Sequence, residues 1–262
     1  MRAVSAFADR YAVVPDLRGP RIRLGVLWTA ALFVAAFVDP VALALFLGVT
    51  AAVAGLQVSG RWHDARQPAN QALAAGAAFV IVMAAAVNNV VLGLAVVLFA
   101  ALSVVLPVSF HDAPVTDPKT GARLAWGTLA AGFPPALACA AAVQVSRVDA
   151  MALLFLLGAV CTYDAGDFLC NGGPRRRLVG PLAGMLGVGV VSAAMYFAQP
   201  PPFGSKGSIG VGLVLCVACP LGQLLGSWLL PRARTPAPAL RRLDSWLIAA
   251  PAMVVAAWIA PS

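Results

Sequence analysis

The stretch Val41 to Val58, VALALFLGVTAAVAGLQV, carries no charge and shows no alternation of apolar with polar positions. At about 1.5 Å rise per residue, a run of this kind reaches across most of a hydrocarbon core, which asks for roughly 20 residues and somewhat fewer where the bilayer thins. In a core without water each span must satisfy its own backbone hydrogen bonds, leaving a helix or a closed barrel. A continuous apolar run, unlike an alternating one, selects the helix. Nine such runs are read along the chain: Leu24 to Val38, Val41 to Val58, Gln71 to Val87, Val90 to Val108, Leu124 to Val145, Ala150 to Tyr163, Leu178 to Phe197, Ile209 to Leu230 and Trp246 to Ala260. The composition agrees, because 262 residues that are 61% hydrophobic and 11% charged, with mean hydropathy +0.89, cannot hide their apolar surface inside a soluble domain. The expected fold class is all-α: a polytopic membrane bundle of nine helices. It is divided into an interfacial tail (residues 1–23), an N-terminal set of spans (24–145) and a C-terminal membrane region (146–262).

Only Asp39-Pro40 separates the first two spans and only Asn88-Asn89 the third and fourth, so both pairs are expected to be tight antiparallel hairpins. Lys and Arg orient the chain, since cytoplasmic loops retain them. With nine helices and a cytoplasmic N-terminus, sixteen of these residues fall inside and only Arg147 and Lys206 outside. The net charge of +8 then reflects loops facing anionic headgroups rather than a nucleic-acid partner. Trp62, Trp126, Trp228 and Trp246, near helix ends on that side, fit an interfacial belt. The tail mixes Phe7 and Tyr11 with arginines and is expected to lie along the headgroups; it lacks the pattern of a cleaved signal peptide. The expected location is an integral protein of the bacterial inner membrane. Among the five cysteines, Cys216 and Cys219 form a C-x-x-C in an apolar run, which reads as packing rather than zinc.

Glutamate is absent and all ten acids are Asp, which narrows the search for chemistry. Asp164 and Asp167, three residues apart at the end of the sixth span, share one face if the helix continues, and could then reach one divalent cation. Carboxylates there are costly unless they meet water, a cation or a partner. Simple capping and solvation is the alternative. Next come Asn171-Gly172-Gly173-Pro174, then Arg175, Arg176 and Arg177, then Gly180, Pro181 and Gly184. Glycines permit close backbone approach to a ligand, and arginines beside aspartates suit a metal-phosphate complex, although a positive-inside anchor explains the arginines equally well. A second place runs from Gly222 to Ser245. There Gly222-Gln223-Leu224-Leu225-Gly226-Ser227 closes the eighth span, and Arg241-Arg242-Leu243-Asp244-Ser245 opens the ninth, where Asp244 and Ser245 could instead cap that helix. His63-Asp64 and His111-Asp112 with Asp117 read as solvated loops.

These residues resemble the membrane-embedded CTP-dependent cytidylyltransferases that make CDP-diacylglycerol from phosphatidate. Asp164 and Phe168 match that family's Asp followed by a small residue and an aromatic at a span's cytoplasmic end. Gly172 to Gly184 loosely matches its glycine-rich basic segment, and Arg242-Leu243-Asp244-Ser245 matches the end of its C-terminal signature. Gly222 and Ser227 keep the frame of the Gly-Asp-x-x-Glu-Ser element that opens the signature. The resemblance covers Tyr163 to Pro251, about a third of the chain. The chain departs from the pattern where Gln223 stands for Asp, Gly226 for Glu and Arg241 for the first Asp of the closing motif. The His-Gly-Gly element is missing.

The resemblance implies cytidylyl transfer from CTP to phosphatidate or another lipid phosphate with release of pyrophosphate, on the cytoplasmic face. It implies a Mg²⁺ ion held by Asp164, Asp167 and Asp244, with Asp164, Asp244 and Arg242 catalytic. Arg175, Arg176, Arg177, Gly222, Gln223, Ser227, Arg241 and Ser245 would bind substrate, and a homodimer is expected. Such chemistry asks the protein mainly for alignment and charge neutralisation. Two other classes stay open. A catalytically degenerate membrane scaffold or binding protein of the same fold accounts for the lost carboxylates. A transporter would call for mid-membrane charges and paired halves, which the sequence lacks.

Overall fold

The computed structural model describes residues 20–65, 68–109, 118–171, 178–232 and 235–260. All regular structure among these residues is helical. In chain order the helices are α1 (Pro20–Val38), α2 (Pro40–Asp64), α3 (Gln71–Val87), α4 (Asn89–Ser109), α5 (Pro118–Val148), α6 (Ala150–Cys170), α7 (Val179–Ala198), α8 (Gly204–Trp228), α9 (Pro238–Leu243) and α10 (Trp246–Ile259). Among the described residues, seven helical stretches are long and apolar enough to cross a bilayer: α2, α4, α5, α6, α7, α8 and the run Pro238–Ile259 that joins α9 to α10. The other two expected spans are apolar but shorter, at Arg23–Val38 within α1 and Gln71–Val87 in α3. The 17 residues of α3 rise about 26 Å, less than a hydrocarbon core of about 30 Å.

The expected hairpins are present. Asp39 alone separates α1 from α2, and Asn88 alone separates α3 from α4. Pro40 opens α2, where its missing N–H costs nothing. The Asn88 side chain accepts from Val91 N at 2.8 Å, and Asn70 caps α3 by accepting from Leu73 N at 3.0 Å. A third tight turn joins α5 to α6 through Asp149, whose carboxylate accepts from Met151 N at 2.7 Å and Ala152 N at 3.2 Å. Each cap meets orphan donors that the membrane cannot satisfy.

The long helix α5 packs against α2, α3, α4, α6 and α10, and so forms the spine between the two halves of the bundle. Its buried Ala131, Ala136, Ala138, Ala140, Ala141 and Ala142 let neighbouring backbones come close, the usual basis of helix association in lipid. The second half builds on α6 against α7, α7 against α8, and α8 against α10. The helix termini sort into two ends. At one, the indole N–H of Trp62 in the last turn of α2 donates to Leu229 O at 2.7 Å just beyond α8, and Asn70 N before α3 donates to Thr128 Oγ1 at 2.9 Å. At the other, Gln144 near the end of α5 bonds Asn89 at the start of α4, and Arg147 reaches Ala85 O at 3.0 Å. Arg61, Arg232, Arg241 and Arg242 lie at the first end, and Arg147 and Lys206 at the second. The expected tryptophan belt is only partly met. Trp126 and Trp228 are well exposed, whereas Trp246 is 1% exposed and belongs to the core.

Candidate functional site

At the arginine-rich end, α6 remains helical to Cys170, so Asp164 and Asp167 do share a face. They take different partners. The Ser245 hydroxyl donates to Asp164 Oδ1. Gln223 Nε2 donates to Asp167 Oδ2 at 3.1 Å, across from α8, in a contact buried on both sides. Ser227, one turn on, donates to the Gln223 carbonyl at 2.9 Å and accepts from Arg241 Nη1 at 3.1 Å. The same Arg241 nitrogen donates to Asp244 Oδ2 at 3.0 Å. A polar network thus links α6, α8, α9 and the start of α10, and every acid in it has a named donor.

Small residues allow this convergence. A Cβ on Gly226 would overlap the Asp244 carboxylate, and one on Gly222 would stand 2.5 Å from Asp244 O. Across α7, a Cβ on Gly180 would stand 2.6 Å from Asp167 Oδ1. The glycines at Gly180 and Gly184, read in the sequence as room for a ligand, instead let α7 lie directly on α6: Gly184 abuts Tyr163, and Gly166 faces the Gly184 backbone. Small side chains bring helices together here because the backbones themselves make the contact.

Three of these residues turn to partners within the protein. Asp244 does not cap α10. It lies in right-handed helical backbone at the α9–α10 joint, and its carboxylate turns to Arg241, while Ser245, the residue at the cap position, sends its hydroxyl to Asp164. Arg241, expected on a nucleotide phosphate, is held by Asp244 and Ser227. Gln223, expected to bind substrate, directs its amide nitrogen to Asp167. Arg242 is half-buried and its guanidinium lies against Gly25 of α1, where a Cβ would stand 2.7 Å from Nη1. Arg175, Arg176 and Arg177 lie outside the described residues, as do Arg234, His111, Asp112, Asp117, Asp9 and Asp16. His63 and Asp64 form an exposed helix end, where Asp64 pairs with Arg61 at 3.3 Å. Cys219 is buried, and Cys216 contacts Met185 O at 3.5 Å, in keeping with packing.

The fit of a divalent cation can be tested on these donors. A hard cation asks for several oxygens converging on one point. Among the described residues, no three His, Cys, Asp or Glu side chains form such a group. Asp244 is 1% exposed, its Oδ2 receives a guanidinium, and the Gly226 backbone lies against it. The arrangement does not fit a metal bound jointly by Asp164, Asp167 and Asp244. Among the described residues, Arg241 sets a guanidinium against Asp244.

Three further residues, none of them expected at the site, brace it from the N-terminal half. Gln57 Oε1 accepts from Ala239 N at 2.9 Å, Arg61 Nε donates to Pro236 O at 3.1 Å, and Trp62 donates to Leu229 O. All three belong to the last turns of α2 and hold the backbone that leads into Arg241 and Asp244. No known protein family, curated protein or solved structure matches this chain.

Proposed function

We propose that this chain is a non-catalytic membrane scaffold: a helix bundle resembling the lipid cytidylyltransferases in its C-terminal third, with the polar cluster at its arginine-rich, cytoplasmic end serving to lock four helices together. The observation that carries this reading is the Arg241–Asp244 pair. It neutralises the buried carboxylate with a side chain from one turn earlier, at the position where the resemblance would place an ion. A buried carboxylate left uncompensated is strongly unfavourable, and a tethered guanidinium removes that cost without an ion.

A second reading is favoured by one contact. The Ser245–Asp164 hydrogen bond brings together the two motifs on which the resemblance rests, although they are far apart in the chain. Under that reading a lipid phosphate oxygen attacks the α-phosphorus of CTP and pyrophosphate leaves, with Arg242 and Arg175 to Arg177 meeting phosphate oxygens. The chemistry would depend on positioning and arginine charge.

Incubation of the purified full chain with radiolabelled CTP, phosphatidate and Mg²⁺ tests the choice. The scaffold reading expects no labelled liponucleotide from wild type. Turnover that Asp244→Asn abolishes, with insertion and elution unchanged, would overturn it in favour of the transferase.

A further inference from the structure

At the end of the bundle away from Asp244, α7 and α8 flank an open groove of about 370 Å³. That is within the range of about 300–1,000 Å³ common for small-molecule sites. Its walls are Gly189, Tyr196 and Phe197 from α7 and Ile209, Gly212 and Leu213 from α8. Of the two hydroxyls in the lining, that of Ser192 is engaged internally with Val188 O at 2.7 Å and the other belongs to Tyr196; the Cys216 thiol contacts Met185 O, and the rest of the lining is hydrocarbon and backbone. Both helices are of membrane-spanning length, which places the groove against acyl chains. Phe197 at 80% and Leu213 at 66% exposure stand up as its rims.

Charge decides what fills it. Lys206 is exposed in the first turn of α8 and precedes Ile209 and Leu213 by three and seven residues, so it lies on the groove face at its mouth. Neither α7 nor α8 contains an acidic residue. A lysine at a span's end extends its ammonium to headgroup depth, where phosphates lie. A symmetric contact with a second copy would instead bring two Lys206 ammoniums to the same interface, because a two-fold interface uses the same patch twice.

We propose that the groove between α7 and α8 holds one acyl chain of an anionic phospholipid whose phosphate is met by the Lys206 ammonium. Gly189 suits the test because a Cβ there meets nothing within 4 Å, so Gly189→Leu enters the groove from an open position on its wall. Gly210, equally open but outside the lining, gives the matched control Gly210→Leu. Native mass spectrometry is run on the full chain from micelles containing phosphatidylglycerol or phosphatidylcholine. Wild type and Gly210→Leu are expected to retain a phosphatidylglycerol adduct, and Gly189→Leu to lose it. Lys206→Gln is expected to lower the preference for phosphatidylglycerol over phosphatidylcholine about fivefold at low salt. Retention of the adduct by folded Gly189→Leu overturns the proposal, and so does a wild-type dimer that Gly189→Leu splits, which would show a second copy in the groove. If Gly189→Leu does not fold, unchanged selectivity in Lys206→Gln overturns it alone.

Discussion

Two ion pairs in this chain have the same chemistry and the same spacing. Arg61 pairs with Asp64 at the end of α2, and Arg241 with Asp244 at the α9–α10 joint, each with the cation three residues ahead of the acid. The first has side chains 42% and 66% exposed, the second 26% and 1%. An exposed pair trades hydration for a modest attraction and contributes little. In the second pair the acid has already lost its water, so the guanidinium compensates a charge that would otherwise stand buried. The same three-residue offset is therefore a surface ornament in one place and a structural necessity in the other. What differs is the company: glycines and α8 close over Asp244, whereas Asp64 stays exposed at a helix end.

The contrast can be broken by substitution. Arg241→Ala strips the compensation from a buried carboxylate and is expected to cost about 3–5 kcal/mol. The loss would be read from unfolding in mixed micelles, and one below about 1 kcal/mol would remove the distinction between the pairs. Gln223→Leu sharpens it, because it leaves the Arg241–Asp244 pair in place and withdraws the amide from Asp167. A hydrogen bond to a charged group at that depth is worth about 1.5–3 kcal/mol on the same measurement. Arg61→Ala is expected to cost no more than about 1 kcal/mol through the ion pair, with high salt abolishing even that difference. A larger cost would mean that the Arg61 bond to Pro236 O, rather than its partnership with Asp64, is what matters.

Legibility was uneven for reasons these residues make plain. The spans showed in the sequence because a bilayer imposes length and continuity on each helix separately, and Asp39-Pro40 and Asn88-Asn89 marked turns because each is a local break between two apolar runs; the turn at Asp149 was found only in the structure. That Asp164, Asp167, Gln223, Ser227, Arg241, Asp244 and Ser245 gather was expected from motif resemblance, and the structure does bring them together. The pairing within that set was not expected. Asp164 and Asp167 share a helix face, yet one meets Ser245 and the other Gln223, a division set by how α8 and α10 dock on α6. The bonds of Gln57, Arg61 and Trp62 to the site were out of reach, since they act on backbone carbonyls and an amide in a segment more than a hundred residues away.

By itself, then, the sequence determined that this is a membrane-embedded helical protein whose cationic residues, by helix order, gather at one end. Hydropathy and helix length are properties of each segment alone, and the solvent reads them one at a time. Only the tertiary structure decided that Arg241 pairs with Asp244, that Gly180, Gly184, Gly222 and Gly226 lie at close contacts between helices, and that α7 and α8 flank an apolar groove beside Lys206. Burial and partner choice depend on which helices meet and how closely, and that geometry belongs to no single segment.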